Sequence, residues 1–214
     1  MASRKRIAQA LLARHGRTFA AEIGIRLERN TPSPLFRWLV ASLLFSARIR
    51  ADIAVEAARA LAAAGWRTPQ AMADAGWEAR VKVLNRAGYA RYDESTSRML
   101  EAAATLLLED YRGDLRHLRD AAGRDPAREL ELLTGFKGIG SAGAGIFLRE
   151  VQAVWPEAYP FADRKSLETA GRLGLPDDAG ALARLVPQGD FPRLVAALVR
   201  TGLAGDHDAV RRAA

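Results

Sequence analysis

Apolar residues recur at intervals of three and four along nearly the whole chain, and no stretch of β-branched residues alternates with the period of two that a half-buried strand needs. The pattern predicts an all-α fold. Helices are expected at 3–15, 34–47, 51–64, 69–75, 77–86, 93–111, 114–122, 126–133, 141–154, 164–173, 178–186, 191–203 and 206–213. Some boundaries carry their own chemistry. Thr68-Pro69 and Asp125-Pro126 each set a capping side chain before a proline, whose missing N–H costs nothing at the first helical position. Gly65 follows an expected helix end. The 34–47 stretch is apolar on most faces, with Leu35, Phe36, Trp38, Leu39, Val40, Leu43 and Leu44, and is expected to be the central buried helix. Pro32 and Pro34 are expected to interrupt helix ahead of it, because closely spaced prolines disfavour continuation.

Between two of these helices, residues 133–144 read Leu-Thr-Gly-Phe-Lys-Gly-Ile-Gly-Ser-Ala-Gly-Ala. Gly138 and Gly140 can take backbone angles closed to other residues, so the chain can turn sharply and aim bare N–H groups outward at the next helix start. Such a start favours an anion, and a DNA phosphate is the natural candidate. A plain interhelical turn would use the same glycines. Asp163 follows twenty positions after Gly143, in Phe161-Ala162-Asp163, just ahead of another expected helix.

These residues resemble the helix-hairpin-helix DNA glycosylases of the endonuclease III class, in which Leu-x-Gly-Val-Gly-x-x-Lys-Ala precedes a catalytic aspartate by a similar interval. Leu43-Leu44-Phe45-Ser46-Ala47-Arg48 looks like the family's Leu-Leu-Ser-Ala-Gln segment, and Ala87-Gly88-Tyr89-Ala90-Arg91 like its Ile-Gly-Leu-Tyr loop. The likeness runs roughly from residue 34 to 175. It implies a two-lobed helical fold, with 34–158 forming a barrel that ends in the hairpin and 1–33 packing with 159–214 as the second lobe. DNA would lie across the cleft, with Asp163 at its mouth. Lys137, Gly138, Ile139, Gly140, Ser141 and Gly143 would form the hairpin's DNA-facing set. Arg48 and Tyr89 match the positions that fill the gap left by an extruded base, and Arg91 would contact phosphate. Arg48 as a helix-end cation and Tyr89 as a half-buried loop aromatic are the competing readings. Trp38, Trp66, Trp77 and Trp155 are expected in the core. The resemblance also admits a structural cation at the hairpin.

Asp163 is the residue assigned to catalysis. Cleavage of an N-glycosidic bond develops positive charge on the sugar, which a fixed carboxylate can stabilise while it orients or deprotonates water. It could equally cap the helix that follows, and the two roles are compatible. Its neighbours, Ala162-Asp163-Arg164-Lys165, depart from the family's Val-Asp-Thr-His. Glycine stands at 143 where the family's lysine attacks the sugar, so base removal by water without efficient lyase activity is expected. Lys137 and Lys165 are the lysines nearest in sequence that could restore an amine. A catalytically silent helix-hairpin-helix protein that binds damaged or branched DNA, and a bifunctional glycosylase with a relocated lysine, are the alternatives.

Composition narrows the picture. The 214 residues carry 32 basic against 25 acidic side chains, for a formal charge of +7, which favours an anionic partner. Only four of the basic residues are lysine, and in so Ala-rich a chain genome-wide base composition is the competing account of the arginine preference. With no cysteine there is no disulfide, no thiol nucleophile and no Cys-ligated iron–sulfur cluster, a departure from many members of the resembled family. His15, His117 and His207 lie far apart and lack metal-ligand spacing, so apart from that structural cation at the hairpin neither metal nor cofactor is expected. No apolar run reaches membrane-spanning length and the N-terminus lacks a signal-peptide core. A cytoplasmic monomer acting on double-stranded DNA with a damaged or mismatched base is the resulting expectation.

Overall fold

The computed structural model describes residues 3–214, and every regular element among them is helical. In chain order these are α1 (Arg4–His15), α2 (Phe19–Ile23), α3 (Pro32–Ser46), α4 (Ala51–Ala63), α5 (Pro69–Asp74), α6 (Trp77–Arg86) and α7 (Asp93–Tyr111). Then follow α8 (Leu115–Ala121), α9 (Pro126–Thr134), α10 (Ser141–Val151), α11 (Arg164–Arg172), α12 (Ala179–Ala183), α13 (Phe191–Ala204) and α14 (His207–Arg212). The expected caps form: Thr68 Oγ1 accepts from the Ala71 N–H at 3.2 Å, and Asp125 Oδ1 accepts from the Ala127 N–H at 2.9 Å. Pro32 and Pro34 do not hold helix off until residue 34. Both sit inside the first turn of α3, where N–H groups have no intrahelical acceptor and proline forfeits nothing.

The chain divides into two units, 22–147 and 1–21 with 148–214, so both termini belong to one unit. Its breaks fall about a dozen residues ahead of the 34 and 159 drawn from sequence. Local bonds explain both. Arg59 Nη2 bonds the Glu22 carbonyl at 2.6 Å and Arg37 Nη1 the Gly24 carbonyl at 3.3 Å, which ties the segment before α3 to the unit of α3 and α4. The C-terminal end of α10, by contrast, makes its polar contacts with residues 19, 20, 161 and 163 of the other unit's chain segments.

In the 22–147 unit, α3 packs on α4 and α8, while α7 packs on α5, α6 and α8. Leu35, Phe36, Trp38, Leu39 and Leu44 are buried, as the sequence pattern requires of a central helix. The Trp38 indole N–H donates to the Phe147 carbonyl at 3.0 Å, so even the polar atom of this core residue is satisfied. Arg80 is wholly buried and serves α5: its guanidinium caps the Met72 and Ala75 carbonyls and pairs with Glu101. Of the tryptophans expected in the core, Trp38 and Trp155 are buried, Trp66 is half-buried and Trp77 is exposed. It opens α6 at the surface, 36% exposed, with the Arg98 guanidinium 5.6 Å from its ring centroid. In the other unit α13 is the organiser, packing on α1, α11 and α14 and burying Phe191, Leu194, Val195 and Leu198 against Leu11, Leu173, Leu182 and Val210.

Candidate nucleic-acid interface and carboxylate site

The hairpin forms between α9 and α10 as a tight turn. Gly135 caps α9, the Ile139 N–H bonds the Phe136 carbonyl at 2.9 Å, and the Ala144 N–H bonds the Gly140 carbonyl at 3.0 Å, which makes Gly140 the cap of α10. The three hairpin glycines differ in why they are there. Gly138 has φ +92°, and a Cβ on it would stand 2.7 Å from Met99 Sδ, so both backbone and packing demand glycine. At Gly143 a Cβ would collide with Ser46 Oγ and stand 3.1 Å from Ile139 Cγ2, so the helix start packs directly against the end of α3. Gly140 has neither constraint: its φ lies outside the left-handed region and nothing lies within 4 Å of where its Cβ would be.

This sorts the hairpin residues expected at DNA. Lys137, Gly138, Gly140 and Ser141 are exposed, as is Ala142, and the first N–H groups of α10 lack intrahelical acceptors. Ile139 is buried and its N–H is spent within the turn. Gly143 is buried too, so it is not the outward-facing position its place in the motif implied. The residue that faces outward in that turn is Ala142, which also has no amine.

The other expected contacts divide in the same way. Arg48 and Arg91 are exposed, the latter with its guanidinium 5.3 Å from the Tyr92 ring centroid. Tyr89 is fully buried and its hydroxyl donates to the Leu44 carbonyl at 2.9 Å. Burial pushes its phenol up to about 12. The half-buried loop aromatic and the gap-filling wedge are both replaced by a core residue that bolts the 87–91 loop to α3. Its sequence slot is loop-like, but a tyrosine next to Gly88, which has φ +82°, can be turned inward where an extended loop would expose it.

Asp163 caps α11, Oδ1 accepting from the Ser166 N–H at 2.9 Å. Its Oδ2 accepts from Arg149 Nη1 at 2.6 Å, and the two side chains are only 13% and 4% exposed. The pair is therefore held in a largely dry setting, and the carboxylate's charge is answered by a fixed cation. Each oxygen keeps a second lone pair with which water or a sugar could be engaged. Arg149 is itself placed 5.2 Å from the Phe19 ring centroid. Beside it, Glu150 is buried and accepts from the N–H groups of Phe19 at 2.7 Å and Ala20 at 2.8 Å, capping α2 from across the sequence. Burial pushes the Glu150 carboxyl up, against the opposing pull of Arg149 and those two N–H groups. Gln152 clamps Phe161 on both sides, its amide nitrogen donating to the Phe161 carbonyl and its amide oxygen accepting the Phe161 N–H, each at 2.9 Å.

Arg149, Glu150 and Gln152 were not singled out from the sequence. The signal available was a pair of opposite charges, Arg149-Glu150, inside the apolar run Ile146 to Val151, where unpartnered charge would be costly. Lys165 is exposed on α11. Among the described residues no group of three His, Asp or Glu side chains could hold a metal ion, and no helix is long and apolar enough to cross a membrane.

No protein-family model matches the sequence, and no curated protein matches it either. The fold is similar to a solved structure of a trapped endonuclease III–DNA covalent intermediate, the estranged-adenine complex. The two chains are 17% identical, with a TM-score of 0.56 over 94% of this chain and 86% of that one. The likeness covers nearly all of both chains and shows an all-α fold of the endonuclease III type.

Proposed function

We propose that the protein is a DNA glycosylase that flips a damaged or mismatched base from the duplex and hydrolyses its N-glycosidic bond, leaving an abasic site without efficient strand cleavage. It acts in this reading as a cytoplasmic monomer in base excision repair, with no cofactor. The observation that carries the proposal is a carboxylate fixed at the start of a helix, Asp163, in a chain whose fold is similar over 94% of its length to that of endonuclease III. The exposed turn of Lys137, Gly138, Gly140 and Ser141 would hold backbone phosphate, which positions the duplex without reading its sequence. Arg48 and Arg91 would add contacts beside it. Asp163 would stabilise positive charge on the sugar and orient the attacking water through its remaining lone pairs. Covalent attack is disfavoured because Ala142 and Gly143 offer no amine at the start of α10.

The Arg149–Asp163 pair favours a second reading. A carboxylate matched by a buried arginine presents less net negative charge to a developing cation, which suits a protein that binds damaged or branched DNA without cutting it. A panel of lesion-bearing duplexes, each assayed with and without alkali, separates the readings. Base release that becomes strand breakage only after alkali supports the glycosylase. Tight binding with no release from any duplex supports the silent binder, and nicking without alkali, with a borohydride-trapped adduct, supports a lyase that uses Lys137 or Lys165.

A further inference from the structure

The segment that ends at Asp163 is held from the C-terminal end of α10 at two points. Arg149 reaches Asp163 itself. Three positions later Gln152, which is buried, commits its whole side-chain amide to two residues. Its Nε2 donates to the Arg149 carbonyl at 2.7 Å and the Phe161 carbonyl at 2.9 Å, and its Oε1 accepts the Phe161 N–H at 2.9 Å. A buried amide with all of these bonds made fixes the peptide that it grips. The residue so fixed is an aromatic one, two positions ahead of the carboxylate.

Residues 161–163 belong to no helix, and Asp163 is extended, with φ −75° and ψ 164°. In an extended segment alternate side chains share a side, so Phe161 and Asp163 project one way and Ala162 the other. The packing agrees. Ala162 and Tyr159 pack against the apolar core of their unit, where Tyr159 meets the Phe191 ring edge-on at 5.5 Å, and Phe161 takes no part in that cluster. Phe161 is left half-buried, and among the described residues its ring has no aromatic or cationic partner. A partly exposed phenylalanine by itself means little. One whose peptide is gripped by a buried amide, on the side that the carboxylate faces, is a ring held in place for contact.

We infer that the Phe161 ring forms one wall of the pocket that receives the extruded base. The inference rests on the proposed role of Asp163 at the sugar. A nucleotide whose C1′ meets that carboxylate carries its base on the same carbon, within reach of a ring about 6.5 Å along the extended chain. What the ring takes is the flat face of a nucleobase, held by packing and stacking. It offers no hydrogen bond, so Phe161 holds an extruded base without reading its donors and acceptors.

The test measures the affinity of the unaltered protein, Phe161→Ala and Phe161→Leu for four duplexes of one sequence. Three carry uracil, thymine glycol or ethenoadenine on a 2′-fluorinated sugar, which keeps the glycosidic bond intact during the measurement. The fourth carries tetrahydrofuran, a sugar analogue with no base. Phe161→Ala is expected to weaken binding of the base-bearing duplex that the unaltered protein binds best by about fivefold or more, and of the tetrahydrofuran duplex by less than about twofold. Phe161→Leu keeps apolar bulk without a ring face, so it folds as the unaltered protein does and still shows most of the selective loss; it carries the test if the alanine variant fails to fold. Equal losses on the tetrahydrofuran duplex, no loss on any base-bearing duplex, or full recovery with leucine would overturn the inference, since the ring would then act only through the fold. No step reads base release. A selective loss in a protein that releases no base keeps Phe161 as the wall and removes the glycosylase reading, whereas base release with no selective loss does the reverse.

Discussion

The hairpin and the Asp163 corner handle polar groups in opposite ways. At the hairpin, Gly140, Ser141 and Ala142 open α10 at the surface, with N–H groups that the helix itself does not use. At the corner nearly every polar atom has a partner: Asp163 with Ser166 and Arg149, Glu150 with Phe19 and Ala20, Gln152 with both ends of the Phe161 peptide. The first arrangement suits a surface completed by a ligand. The second suits a side chain that must be held in one place. A phosphate clamp and a positioned carboxylate need these two properties respectively, and one region could not supply both.

Substitutions can break or sharpen the contrast. The largest loss of stability is expected from Gly138→Val, which forces a β-branched residue to φ +92° and drives its Cβ into Met99, at a cost of roughly 3 kcal/mol or more. Thermal unfolding should show it directly. Arg149→Met comes next. It leaves Asp163 capping α11 but unpaired, and should cost about 2–3 kcal/mol, below the range for fully dry pairs because Asp163 keeps some water contact. If Arg149 positions a catalytic carboxylate, single-turnover base release falls with duplex affinity intact. A carboxylate that only caps the helix would show the stability loss with no change in release.

Gly140→Ala should change stability by no more than about 0.5 kcal/mol, since its Cβ meets nothing. It should nonetheless weaken duplex binding by about 1 kcal/mol, roughly fivefold and equally on every sequence, by obstructing phosphate at the N–H groups. Unchanged affinity would reduce the hairpin to a plain turn. The smallest effect on the fold is expected from Ala142→Lys at an exposed position. It should bring an amine to the surface of that turn and add borohydride-trappable cleavage where base release exists. The same substitution at Gly143 would require Ser46 to move.

The sequence announced most of this fold because its helices carry their own start signals, such as Thr68-Pro69 and Asp125-Pro126, and their own apolar period. α2 is not legible for a physical reason: Phe19–Ile23 is about one turn, too short to show a period, and although Thr18 Oγ1 accepts locally from the Ala21 N–H, the acceptor of its first two N–H groups, Glu150, comes from another part of the chain. At the candidate sites, sequence identified the turn and the carboxylate but not their orientations. Gly143 and Ala142 are adjacent, yet only the packing of α10 on Ser46 shows which is inside. Tyr89 carries no sequence mark that its hydroxyl would find the Leu44 carbonyl. Arg149 is visible as a misplaced charge in an apolar helix, but its partner depends on the intervening stretch of chain that brings Asp163 back to it.

The most direct test of the central claim is single-turnover base release by Asp163→Asn, measured beside the unaltered protein on the duplex that it processes best, with affinity for that duplex measured in parallel. Asparagine can still accept the Ser166 N–H but carries no charge to offer the sugar or the water. The account predicts binding within about twofold of the unaltered protein and a fall in release of two or more orders of magnitude, on the order of 3 kcal/mol of transition-state stabilisation. A folded Asp163→Asn protein that releases the base at the original rate would contradict it.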